Sequence, residues 1–207
     1  SILVGDIKQP KRTEKFVFIY SRNQNHVMMF DTSGKFIRKI GRVGQGPGEI
    51  ANIDFFTVSD NLVFIYPFSR NGSLTVYDMR DNSFVKEIPL KWPVFFSRAI
   101  DVMGDCLVYY PGTVYSPDNS KTFISACVAN GEGETLMEQI PYLSSSDKKI
   151  LQLSSDPSWL YRGRSNVYSF INDTIYGITC DSIFPRYHLS LGKYKLPSGR
   201  YDPTHDY

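Results

Sequence analysis

Ile40-Gly41-Arg42-Val43-Gly44-Gln45-Gly46-Pro47-Gly48-Glu49-Ile50 places four glycines and a proline in eleven residues. Two readings compete: a cradle for phosphate, or a turn that the fold requires. A phosphate-binding glycine loop needs a helix start behind it and usually a Lys-Ser or Lys-Thr pair. Neither is present. The stretch is followed by Ile53-Asp54-Phe55-Phe56-Thr57-Val58, an aromatic and β-branched run. It is preceded by Lys35-Phe36-Ile37-Arg38-Lys39-Ile40, which alternates polar and apolar as a half-buried or edge strand does. Glycine permits positive φ and Pro47 fixes the next turn. The sequence therefore predicts a crossing from one strand to another.

Strand signals continue on both sides. Phe16-Val17-Phe18-Ile19-Tyr20 and His26-Val27-Met28-Met29-Phe30 are strands, and Asp31-Thr32-Ser33-Gly34 has hairpin-turn chemistry. The pattern then recurs. Val63-Phe64-Ile65-Tyr66 answers Val17-Phe18-Ile19-Tyr20, Tyr77-Asp78 answers Phe30-Asp31, and Phe84-Val85-Lys86-Glu87-Ile88 answers Phe36 to Ile40, at offsets of 46 to 48 residues. A period in the forties with three or four short strands per unit is the signature of a propeller blade. A third, looser unit holds Cys106-Leu107-Val108-Tyr109-Tyr110 and Phe123-Ile124-Ser125-Ala126-Cys127-Val128. A fourth holds Asp173-Thr174-Ile175-Tyr176-Gly177-Ile178 and Tyr187-His188-Leu189-Ser190-Leu191. The expected blades are 1–50, 51–92, 93–141 and 150–194, with 195–207 a tail or the start of a further blade. Residues 144–149 form a polar link between the last two.

At 207 residues the chain can bury a sizeable core, and its 14% aromatics suit pleated sheets. A formal charge of +2, with 21% charged residues, gives no push towards nucleic acid. No run is long and apolar enough to span a bilayer as a helix, and no signal peptide is visible. The three cysteines, Cys106, Cys127 and Cys180, form no CxxC pair, which disfavours zinc. A hairpin centred near Tyr115–Pro117 would set Cys106 opposite Cys127. The plainer reading is two buried, reduced thiols.

Phe30-Asp31-Thr32-Ser33-Gly34-Lys35-Phe36-Ile37-Arg38-Lys39-Ile40 together with Gly44-Gln45-Gly46-Pro47-Gly48-Glu49 resembles a signature of a six-bladed β-propeller family with NHL-like blades, found in Bacteroides-type envelopes. Asp173 to Tyr176, Phe184 to Tyr187 and Gly192 to Pro197 are similar to a later segment of that family. The resemblance implies an all-β propeller of four-stranded NHL-like blades, about four in this chain, as part of a six-bladed ring. It implies a periplasmic or cell-surface protein, lipid-anchored in full-length form. It also implies a possible oligomer that completes or covers open blade edges.

No GxSxG, HExxH, Walker or dinucleotide motif is present. His26, His188 and His205 are far apart in sequence. Asp54, Asp101, Asp105 and Asp173 fall near strand ends, where some propeller enzymes hold a metal in the central channel. Tyr109-Tyr110, Trp92 and Trp159 are sugar platforms or, more plainly, packing residues. In a propeller the crossings and the loops between second and third strands share one face. On it the sequence places Arg22, Asn23, Arg42, Gln45, Glu49, Arg70, Asn71, Arg98 and Arg162, with Arg164 beside the last. Guanidinium forks suit carboxylates and sulfates, although turn-forming and solvated roles explain the same residues. The leading expectation is a non-catalytic module of the cell envelope binding an anionic or carbohydrate ligand or another envelope protein. It has no cofactor and no nucleic-acid partner. The alternative is a metal-dependent propeller lyase or hydrolase with its site in the central channel.

Overall fold

The computed structural model describes residues 6–68, 72–92, 94, 100–115, 121–124, 126–139, 158–169, 174–190 and 192. Its regular structure is entirely β among these residues. The chain separates into two compact units. One comprises Ser1–Pro93 with Gly131–Glu134, and the other Val94–Asn130 with Thr135–Tyr207.

The first unit holds two four-stranded antiparallel sheets. β1 (Ile7–Arg12), β2 (Phe16–Ser21), β3 (His26–Asp31) and β4 (Phe36–Ile40) pair in chain order. So do β5 (Ile53–Ser59), β6 (Leu62–Pro67), β7 (Ser73–Asp78) and β8 (Phe84–Pro89). The alternation seen in the sequence sets the buried face. Phe18, Tyr20, Val27, Met29 and Ile40 of the first sheet join Ile53, Phe56, Val63, Ile65 and Tyr77 of the second in one core. The recurrent Asp at the end of each third strand has a definite task. Asp31 Oδ1 accepts the Ser33 and Lys35 N–H groups, each at 2.9 Å, and Asp78 Oδ1 accepts the Arg80 N–H at 2.8 Å. A carboxylate that satisfies turn amides fixes the geometry of the next hairpin.

The second unit holds β9 (Ile100–Met103), β10 (Cys106–Tyr109), β13 (Ala126–Asn130) and β14 (Thr135–Gln139) in one sheet. A hairpin of β11 (Gly112–Tyr115) and β12 (Lys121–Ile124) is inserted between its second and third strands. β15 (Ser158–Tyr161), β16 (Arg164–Ser169), β17 (Thr174–Ile178) and β18 (Ile183–His188) form the last sheet. Val108, Tyr110, Ala126 and Val128 pack with Val167 and Ile178 in this unit's core.

The cysteine expectations fail on register. One pairing runs through the whole ribbon, from Cys106 opposite Asn130 to Tyr115 opposite Lys121. Cys127 therefore faces Tyr109, and Cys106 lies three positions off its expected partner. An odd shift also moves a side chain to the other face of a sheet. Cys106 is not a reduced thiol either. It is bonded to Cys180, with a Cα–Cα distance of 5.8 Å, and Cys127 is the free, buried cysteine.

Candidate functional site

The glycine-rich crossing has two parts. The first, residues 41–49, lies against the end of the second sheet that carries the β7–β8 turn. Gly41 N–H donates to Asn82 Oδ1 at 2.8 Å, and Arg42 N–H to the Tyr77 hydroxyl at 3.3 Å. Tyr77 in turn donates its buried hydroxyl to the Gly48 carbonyl. Burial raises the pKa of this phenol, so it stays a donor. Gly48 has φ +68°, and a Cβ there would stand 2.7 Å from the Phe84 ring. Both constraints demand glycine. Glu49 Oε2 accepts the Gly46 N–H at 2.9 Å, so the loop's own carboxylate occupies the amide that an anion would seek.

The second part, residues 51–53, sits between the two second-to-third-strand loops of this unit. Asn25 Nδ2 donates to the Ala51 carbonyl at 2.6 Å, and Asn25 Oδ1 accepts the Ile53 N–H at 3.0 Å. From the other loop, Phe68 N–H donates to the Asn52 carbonyl at 2.9 Å. Below them Gln9 ties the first strands together. Its Nε2 donates to the Asp54 carbonyl at 3.1 Å and its Oε1 accepts the Phe56 N–H at 3.2 Å. Among the described residues, the end of the crossing is the part that reaches the loops expected to share its face. Strand twist accounts for this, because a fourth strand is rotated well away from a first strand in the same sheet.

Arg22 and Asn23 are exposed at the tip of the loop that Asn25 anchors. Tyr20 is buried beneath it, and burial raises its phenol pKa. Arg22 opposes the rise and Asp54 adds to it, so all three are electrostatic neighbours. Arg42, Gln45 and Glu49 are exposed together on the glycine turn. Arg162 belongs to the second unit, where it occupies the β15–β16 turn. Arg70, Asn71 and Arg98 lie outside the described residues, as do Asp173 and His205. Asn25 and Gln9, which fix this region, carried no sequence signal beyond the polar loop composition around Asn25.

The second unit has a buried polar group of its own. Ser165 Oγ donates to Asp101 Oδ2, and the Tyr110 hydroxyl is hydrogen-bonded to the same serine. Asp101, Tyr110 and Ser165 are 8%, 2% and 0% exposed, so this cluster is closed to solvent. Burial foremost, then the nearby Asp101 charge, pushes the Tyr110 pKa far up. The cluster ties β9 to β16 and satisfies groups that would be costly to bury unpaired. Tyr109 and Tyr110 are core residues. Trp92 is half-buried with Lys91 Nζ 5.1 Å from its ring centroid, whereas Trp159 is exposed. His26 Nδ1 lies 2.5 Å from the Gln24 carbonyl, and His188 is exposed on β18. Among the described residues no group of three or more His, Cys, Asp or Glu could hold a metal ion. No helix among them is long and apolar enough to cross a membrane.

The family model described as "Domain of unknown function (DUF4934)" matches residues 1–207. No curated protein matches the chain. Among solved structures, it is similar to a protein of Bacteroides fragilis NCTC 9343 designated as exported. The identity is 18% and the TM-score 0.67, over 92% of this chain and 52% of that one. It is also similar to a DUF4221 family member from Bacteroides vulgatus ATCC 8482, at 12% identity and TM-score 0.49, over 91% of this chain and 59% of that one. The chain thus spans about half the length of the first of these structures. The first likeness, with the four meandering sheets, shows a fold built of β-propeller blades.

Proposed function

This chain belongs to the DUF4934 family, and from that premise we propose that it is a non-catalytic binding module of the bacterial cell envelope. Its ligand is anionic and docks on the loop that carries Arg22 and Asn23. The observation that carries this reading is the Asn25 clamp. Both ends of one side-chain amide hold the loop to the backbone of the crossing, while Arg22 and Asn23 beside it stay exposed. A guanidinium on a fixed loop loses little entropy on binding a carboxylate or sulfate. The matching second-to-third loop of the next sheet contains Arg70 and Asn71 at a spacing of 48 residues, and it joins the same site in this proposal.

Export to an oxidising compartment is supported by the Cys106–Cys180 disulfide, and the B. fragilis protein is itself designated as exported. A six-bladed ring and a lipid anchor are the finer forms of the proposal, drawn from the family resemblance. The test is calorimetric titration of the full chain with heparin oligosaccharide, as a densely anionic probe, in moderate salt. Binding weakened at least about tenfold by Arg22→Ala, with thermal stability unchanged, supports the site. Absence of binding, or binding indifferent to Arg22→Ala, removes it.

A further inference from the structure

Two loops of the first unit are pinned to opposite edges of one short segment. Asn25 bonds to the Ala51 carbonyl and the Ile53 N–H, whereas Phe68 N–H bonds to the Asn52 carbonyl between them. Backbone groups of successive residues point to alternate edges of an extended chain. Residues 51 and 53 therefore serve the β2–β3 loop on one edge, and residue 52 serves the β6–β7 loop on the other. Neighbouring strands lie about 4.8 Å apart, which sets the two loop backbones roughly 10 Å from each other across the segment.

Each loop displays one unusual side chain. Arg22 is exposed on a fixed backbone, since its N–H donates to the Asp6 carbonyl and its carbonyl accepts the Asn25 N–H, both at 3.2 Å. Asn25 closes that turn at φ +51°, a conformation that asparagine tolerates. Phe68 is 75% exposed, more than any other large hydrophobic among the described residues. The strand that leads to it had buried places for rings. Tyr66, two residues earlier, is 2% exposed and stacks on Phe55 with centroids 4.8 Å apart. A lone exposed apolar residue needs no explanation. Phe68 differs because its backbone is held on the segment that Asn25 clamps, with Asn23, Ala51 and Asn52 also exposed. Arg22 and Phe68 both follow the ends of strands. A sheet packed face to face covers strands rather than the loops beyond them.

From this juxtaposition, an exposed ring and an exposed guanidinium on loops pinned either side of one segment, we infer that the Arg22 site takes an acidic sugar rather than a bare anion. A sugar ring stacks on Phe68, its carboxylate or sulfate meets Arg22, and the carboxamides of Asn23 and Asn52 serve its hydroxyls. The inference rests on the anion-binding reading above and names its ligand class. Charge alone gives a weak hold here. Asp54 is an electrostatic neighbour of the same tyrosine as Arg22, so part of the guanidinium's field is already answered. A flat ring beside it supplies the second contact, and favours an occupant that has a face to stack as well as a charge. Both groups stand on fixed backbone, so little freedom is lost on binding.

The test uses the full disulfide-bonded chain with three probes: heparin oligosaccharide, polyphosphate as an anion without a ring, and neutral maltotetraose. Calorimetry gives affinity, and sedimentation at the same concentrations gives the oligomeric state. Heparin oligosaccharide should bind at least about tenfold more tightly than polyphosphate, and maltotetraose should not bind. Phe68→Ala should weaken heparin oligosaccharide at least about tenfold, to the level of polyphosphate. Phe68→Trp should keep most of the affinity, whereas Phe68→Leu, apolar but not flat, should not. Phe68 is exposed, so an unchanged melting curve certifies the fold. Binding that falls in Arg22→Ala but not in Phe68→Ala overturns this inference and leaves the anion site standing. So does polyphosphate binding as tightly as the sugar. Absence of binding, or binding indifferent to both variants, removes the anion site and the inference together. Self-association that Phe68→Ala abolishes also overturns the inference, by assigning Phe68 to a contact with a second copy.

Discussion

Breaking the Cys106–Cys180 bond should destabilise the second unit more than any single core truncation of modest size. The bridge joins β10 to the turn between β17 and β18 and closes a sequence separation of 74 residues. Chain entropy alone assigns about 4.5 kcal/mol to a loop of that length, and bridges in practice deliver roughly 2–4 kcal/mol. Against a total stability of about 5–15 kcal/mol, such a loss is decisive. A chain of this size should lose on the order of 10 °C in melting temperature. The assay is a thermal and a urea melt of the oxidised chain, the reduced chain and Cys180→Ser. Thiol counting in denaturant should accompany it. The oxidised chain should expose one thiol, Cys127, and the reduced chain three. Cys180 is exposed while Cys106 is 2% exposed, so reduction should begin without global unfolding. Three reactive thiols in the unreduced, denatured chain would refute the pairing. Identical midpoints for the oxidised and reduced chains would refute the energetic argument.

Tyr77→Phe should cost about 1–3 kcal/mol in a urea melt, because it leaves the Gly48 carbonyl without its buried donor. Gly48→Ala should cost at least as much, from the positive φ and the approach to Phe84, and the two variants should be far from additive because they disturb one contact. Arg80 hydrogen bonds hold the Asp78 pKa at about 2 against an ordinary 3.8. A depressed folded pKa contributes stability above the unfolded value and forfeits it as pH falls. Asp78→Asn should therefore flatten the stability profile between about pH 4 and pH 2, as read from urea midpoints.

The sheets of the first unit were legible because their strands are aromatic and β-branched and their turns repeat an Asp at a fixed offset. β1 was not. Ile-Lys-Gln-Pro-Lys-Arg has little strand propensity, and its Gln9 sits at φ +50° within an irregular pairing to β2. It becomes a strand because β2 offers an edge and because Gln9 bonds to the backbone of β5. The disulfide was hidden for a related reason. One half-cystine lies in β10 and the other in the β17–β18 turn of the last sheet, and only packing brings them together. The local hairpin offered a nearer partner, Cys127, and an error of three residues in pairing was enough to make it look plausible.

Candidate site residues divide along the same line. Arg22 and Asn23 stand out by repetition of Ser-Arg-Asn, so the sequence could place them in corresponding loops. What it could not supply is the difference between a loop that displays an arginine and one that merely contains it. That difference rests on Asn25, whose amide can bond to any backbone group within reach and so leaves no periodic trace. Arg186 makes the same point from the opposite direction. On a regular strand it would alternate to one face or the other, but the bulge at Pro185–Tyr187 releases it from that rule and carries its guanidinium over Asn166. The settings of Arg22 and Arg186 are therefore fixed by irregularities in the blades, a side-chain clamp in one unit and a bulge in the other. Removing the irregularity should loosen the setting even where the arginine is kept. Asn25→Ala, with Arg22 intact, is the variant in which that distinction becomes measurable, as a loss of ligand affinity together with faster amide exchange at Ile53.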